Sequence, residues 1–191
     1  AATGTADGAA YVAAPDTPLF TVGDINRGRW PNRVFGHRNV LYAYVFNNYW
    51  HTNYKASQGG DIRCAFSIKL SDTPYDPVAA TRFGWARTLD MTPERSAAHR
   101  SKDHKGSADH SFLHLDEGPV LIGDLIPSEE GVLARLYNPS AAAAETGIHC
   151  VGEKHLSLFT TDLFGQKGVA VPASGRITVP ARGIVTVLLK K

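Results

Sequence analysis

The chain has 191 residues, 43% of them apolar and 20% charged, with a formal net charge of +2 at pH 7. Such a length suits one domain or at most two small ones, and it can bury roughly 70% of its unfolded surface without help from a metal or a disulfide. The small net charge and the lack of any lysine or arginine run exclude a basic nucleic-acid groove, and no apolar stretch approaches the ~18 residues of a membrane-spanning helix.

From the N-terminus, Ala1 to Gly8 is small and polar, without the basic start and apolar core of an export signal. Residues 1–15 are therefore expected as a flexible lead-in, followed by one β domain over 16–191. A soluble, cytoplasmic setting is expected with it. The run Val40 to Phe46 is aromatic and β-branched with no polar residue, which predicts a strand covered on both faces. Asp61 to Leu70 alternates instead: Ile62, Cys64, Phe66, Ile68 and Leu70 predict the buried side of a half-buried strand. Residues 72–109 hold prolines, arginines and lysines with few apolar residues beyond Phe83 and Trp85. They read as a long central excursion and the likeliest place for an internal boundary. Within it, Thr92 to His99 offers one or two helical turns, with Thr92 as cap and Pro93 at the first position.

Further strands are expected over residues 111–115, 120–122, 132–137, 156–160, 176–179 and 183–189. Asn138-Pro139-Ser140 and Ser174-Gly175 turn the chain between them, and Ala141 to Ala144 is a short loop or helical turn. Short strands with turn punctuation and no βαβ alternation predict an all-β fold, an antiparallel β-sandwich.

Catalytic motifs are scarce. His99, His104, His110 and His114, interspersed with Asp103, Asp109, Asp116 and Glu117, have ligand chemistry but no tight ligand pairing. They read as solvated loop histidines, and no metal site is expected. There is no nucleophile elbow, and Cys64 and Cys150 form no CxxC pair, so two free buried thiols are expected. Asp24, Asp61, Asp116, Glu117 and Asp124 supply carboxylates, but no two can be placed across a glycosidic bond from their spacing. No catalytic residue is assigned. The most informative stretch is Asn47 to Asp61, which gathers amides, aromatics and a histidine into one loop and ends on Gly59-Gly60. Amides match sugar hydroxyls as both donor and acceptor, and aromatic rings can cover the apolar face of a pyranose. Asn47, Asn48, Trp50, His51, Asn53 and Tyr54 are the binding candidates, with Asp24, Arg27 and Trp30 of the segment Gly23 to Pro31 as a second group. The bland reading, amides bracing the loop and aromatics filling a core, fits the same composition.

The loop string NNYWHTNYKASQGGD resembles a motif in the C-terminal β region of glycoside hydrolase family 38, the α-mannosidase family. PLFTVGDINRGRWP (residues 18–31) resembles the segment before it in bacterial members. LDEGPVLIGDLIPSEEGVLARLYNPS (115–140) and the end of the chain (161–188) resemble the family's late strands. The resemblance implies a mannosidase C-terminal type sandwich of the galactose-mutarotase-like class, packed on an N-terminal catalytic domain of the same polypeptide. Zinc and the aspartate nucleophile would belong to that other domain. By this resemblance the binding candidates face the substrate cleft or the domain interface, the ligand is an α-mannoside or related glycan, and this chain alone is inactive. The alternative is a free-standing carbohydrate-binding sandwich with Trp30, Trp50 and Tyr54 as its stacking platform. A purely structural sandwich would instead expose a large apolar patch and could self-associate through it.

Overall fold

A computed structural model describes residues 2–5, 7–23, 40–46, 53, 55, 57–89, 111–151, 156–166 and 168–190. The chain is mostly β, with antiparallel strand pairs and one helix among the described residues. It divides into two compact units, Ala1–Thr92 and Pro93–Lys191, and the division falls inside the segment 72–109.

In the first unit, β1 (Ala2–Thr5) and β2 (Gly8–Ala13) form a hairpin, and β5 (Ser67–Ser71) extends it into a three-stranded sheet. The expected flexible lead-in is thus two strands. The reason is legible in β2, where alternation buries Ala9, Tyr11 and Ala13, with Tyr11 only 2% exposed. The expected excursion contains α1 (Pro77–Thr88). Asp76 caps it by accepting from the N–H groups of Val78 (2.9 Å) and Ala79 (3.3 Å), and Pro77 sits in the first turn, where its missing N–H costs nothing. The helix packs on β2 through Tyr11, whose ring meets Phe83 at 6.4 Å and Tyr75 at 6.3 Å. The Tyr11 hydroxyl accepts from the Asp76 N–H at 3.2 Å.

Two strand expectations are corrected here. Only Leu41–Ala43 (β4) of the run 40–46 is a strand, paired with β3 (Phe20–Val22), and Val40, Tyr42, Tyr44, Val45 and Phe46 are exposed. Only the end of 61–70 is a strand, and Ile62, Phe66, Ile68 and Leu70 lie on the exposed side. Alternation marks two different faces but does not say which one is covered.

In the second unit, a five-stranded antiparallel sheet runs β12-β11-β14-β8-β7. Its members are β7 (Leu121–Ser128), β8 (Gly131–Tyr137), β11 (Ser157–Thr161), β12 (Val169–Ala170) and β14 (Ile184–Lys190). Two ribbons cover one face of it: β6 (Leu113–Leu115) with β10 (Ile148–Cys150), and β9 (Ala144–Thr146) with β13 (Ile177–Val179). Ala134 and Leu136 of β8, Val187 and Leu189 of β14, and Ile177 and Val179 of β13 meet in one core. Each fully buried Leu, Val or Ile there contributes about 1.5–3 kcal/mol. Val120 joins the same core, and Leu113, Leu115, Ile148 and Cys150 of the first ribbon pack against it. Ala141 to Ala144, expected as a short loop or helical turn, is loop up to Ala143 and enters the β9 strand at Ala144.

Candidate functional site

Of the sequence-predicted site residues, Asn47, Asn48, Trp50, His51, Tyr54, Asp24, Arg27 and Trp30 lie outside the described residues, as do His99, His104, His110 and the helix expected over 92–99. Asn53 is described, in a bend, and is exposed. The return of that loop follows its glycines: Gly60 adopts φ +106°, a region closed to most side chains. Cys64 and Cys150 are free and half-buried, one in each unit.

The described residues bring together a different polar cluster, at the outer face of the two ribbons in the second unit. Strand alternation turns Leu113, Leu115, Ile148 and Cys150 toward the core, and sends His114 and His149 outward. Asp116 follows β6 and is held from three sides. Its Oδ1 is 2.6 Å from His149 Nε2, its Oδ2 accepts from the Gly147 N–H at 2.8 Å, and the Arg176 guanidinium donates to the same Oδ2. Arg176 also lies 3.8 Å from Glu145. His114 stacks on His149 with ring centroids 5.0 Å apart and planes 22° from parallel. The hydrogen bonds from His149 and from Gly147 N–H, with the Arg176 charge behind them, hold the Asp116 carboxyl below the usual carboxylate range.

Chemically, the carboxylate is a clasp: it ties the loop after β6 to β10 and to the residue that opens β13. Sequence reasoning placed Asp116 and His114 among loop groups and gave His149 no role. Only the antiparallel register brings His149 opposite His114. No three His, Cys, Asp or Glu side chains converge as a metal cage among the described residues.

The second feature of this unit is an apolar groove of about 740 Å³. Phe112, Leu113, Leu125, Val132, Leu156 and Leu189 line it, with Cys150 on its wall. Its rim carries Glu129, Glu130 and Lys190, and the last two pair at 2.9 Å. The groove opens beside the β7–β8 turn. Pockets of this size accept a small molecule or a few apolar side chains of a protein neighbour.

Comparison of the chain with protein-family models, with curated proteins and with solved structures finds no match in any of the three.

Proposed function

We propose that this chain is an accessory β region of an α-mannosidase-like glycoside hydrolase, docked on a catalytic domain of the same polypeptide and helping to shape its sugar site. In this reading the five-stranded sheet and the two ribbons of the second unit are the sandwich of the family 38 C-terminal type. The two-layered core they share supports that assignment. The loop Asn47 to Tyr54 would supply the amide and aromatic groups at the cleft or interface. Zinc and the nucleophile would come from the catalytic domain, and no chemical step is assigned to residues of this chain.

The observation that carries the proposal is apolar surface left open within each unit. In the first, β2 and β5 turn Tyr11 toward α1, and the opposite side of β5 presents Ile68 and Leu70, 67% and 78% exposed. In the second, the groove is lined mainly by hydrocarbon. Exposed apolar surface of this kind suits a protein interface or an apolar ligand. A sugar site needs convergent hydroxyl partners, which hydrocarbon does not provide. These surfaces therefore favour the docked domain over the free-standing sugar binder.

The test pairs two measurements: the intact mass of the natural gene product, and hydrolysis of an aryl α-mannoside with and without zinc. The expected result is a product several times heavier than the 20.6 kDa of this chain, active with zinc, while the purified chain alone has no turnover. Turnover that follows this chain through purification refutes the proposal. So does a natural product of matching mass whose tryptophan fluorescence shifts saturably with mannobiose and loses the shift in Trp50→Ala. That result would establish the carbohydrate-binding module.

A further inference from the structure

We propose that His114 and His149 form a two-imidazole chelate for one divalent transition-metal ion, with Asp116 as the carboxylate that orients His149. The argument is independent of the docking proposal and rests on register and side-chain geometry. His114 and His149 are direct cross-strand partners in the β6–β10 ribbon. Side chains in that relation leave the sheet on the same face with Cβ atoms about 4.5–5.5 Å apart, close enough for two imidazoles to reach one ion. The rings are stacked, with centroids 5.0 Å apart and planes 22° from parallel. Chelation requires His114, which is exposed, to turn about χ2 out of this stack so that its nitrogen faces the free nitrogen of His149.

The second part of the geometry fixes the tautomer. Asp116 Oδ1 lies 2.6 Å from His149 Nε2. A carboxylate only accepts, so in the neutral ring Nε2 carries the proton and Nδ1 keeps its lone pair. A histidine that gives one N–H to a carboxylate and keeps the lone pair on its other nitrogen has the tautomer found in metal-bound imidazoles. A Cβ at Gly147 would meet both Asp116 Oδ2 and His149 Nε2 at 3.2 Å, so a side chain there would require the pair to shift by a few tenths of an ångström. Two imidazoles with water in the remaining positions suit Zn²⁺ as a tetrahedral ion and Ni²⁺ or Cu²⁺ in tetragonal geometry. A bound ion would staple β6 to β10 and stabilise the second unit by mass action.

Nickel chloride titrated into the full chain near neutral pH, followed by calorimetry, tests this. The expected result is one saturable site that weakens at least tenfold in His114→Ala and in His149→Ala and disappears in the double variant. Asp116→Asn should weaken it about 10–100-fold, the usual effect of removing a carboxylate behind a ligand histidine. Paramagnetic broadening in the unsubstituted chain, confined first to the His114 and His149 ring signals, gives the same answer without relying on a variant's folding. The proposal is overturned if the unsubstituted chain binds no nickel, or if the double variant binds it equally well. Asp116→Asn binding as tightly as the parent would overturn the orienting role.

Discussion

Asn138→Ala removes one side chain that holds together three parts of the second unit. Asn138 is fully buried. Its Nδ2 donates to the Ala142 carbonyl at 2.8 Å and to the Val179 carbonyl at 3.1 Å. Its Oδ1 accepts from the Ser140 N–H at 3.0 Å and the Ser140 hydroxyl at 2.7 Å. Alanine leaves the last strand of one ribbon, the turn after β8 and the loop toward β9 without their common partner. Ala142 is exposed and its carbonyl can turn to water, and the Ser140 hydroxyl also donates to it at 2.9 Å. The Val179 carbonyl sits in the core and loses a donor, and the half-buried Ser140 N–H loses its acceptor. A buried polar group left unsatisfied costs ~1–3 kcal/mol, so two give a loss of about 3 kcal/mol. For a unit of about 100 residues that lowers the melting temperature by roughly 10–25 °C. Hydrogen exchange of β8 and β13 amides, or calorimetry, reports this transition. Ser140→Ala is the control: it keeps the bond from the Ser140 N–H and should cost about 1 kcal/mol or less. A loss under ~1 kcal/mol for Asn138→Ala, or equal losses for the two variants, would refute the reasoning.

The remaining predictions use the same assay. Gly131→Ala should cost about 3 kcal/mol or abolish folding of the second unit, because Gly131 has φ +151° and an added Cβ would overlap the Leu189 carbonyl oxygen; a melt unchanged from the parent contradicts this. Thr186→Val should raise stability by about 1 kcal/mol, since the Thr186 hydroxyl is buried without a partner among the described residues and valine has nearly its shape; a loss of stability would mean that the hydroxyl is satisfied. Asp116 gives a pH signature. Its carboxyl is held low in the folded chain, chiefly by the His149 and Gly147 hydrogen bonds, so its contribution is complete above the unfolded carboxylate value and is lost as pH falls through the lower folded value. Acid denaturation followed below about pH 4 should therefore be shallower in Asp116→Asn than in the parent. Parallel profiles would show that the clasp adds nothing.

How far the sequence reaches differs between the two units. Residues 132–137, 156–160, 176–179 and 183–189 are legible as strands because β-branched and aliphatic residues dominate them, and each is a strand in the fold. Ser174-Gly175 and Gly59-Gly60 are legible as turns because only glycine enters the left-handed region cheaply, and Gly175 and Gly60 do so. The signal for α1 was present in Asp76-Pro77, a cap followed by the one position where proline favours a helix. It was masked by the surrounding polar composition, and the helix has no buried residue to give it an apolar stripe. Of the nine sugar-site candidates only Asn53 is described, so the sequence reading of that loop rests on chemistry alone.

The sequence by itself determined which segments extend and where the chain must turn, because backbone sterics and side-chain branching act within a few residues. Only the tertiary structure decided which face of an alternating strand is covered, as Leu70 and Leu136 show: both are leucines in strands, one 78% exposed and the other fully buried. It also decided that His114 stands opposite His149, and that Asp116 is shared by Arg176, Gly147 and His149. Those pairings join residues 31 to 60 positions apart. They follow from strand register, which the summed burial of a whole face selects and no local pattern encodes.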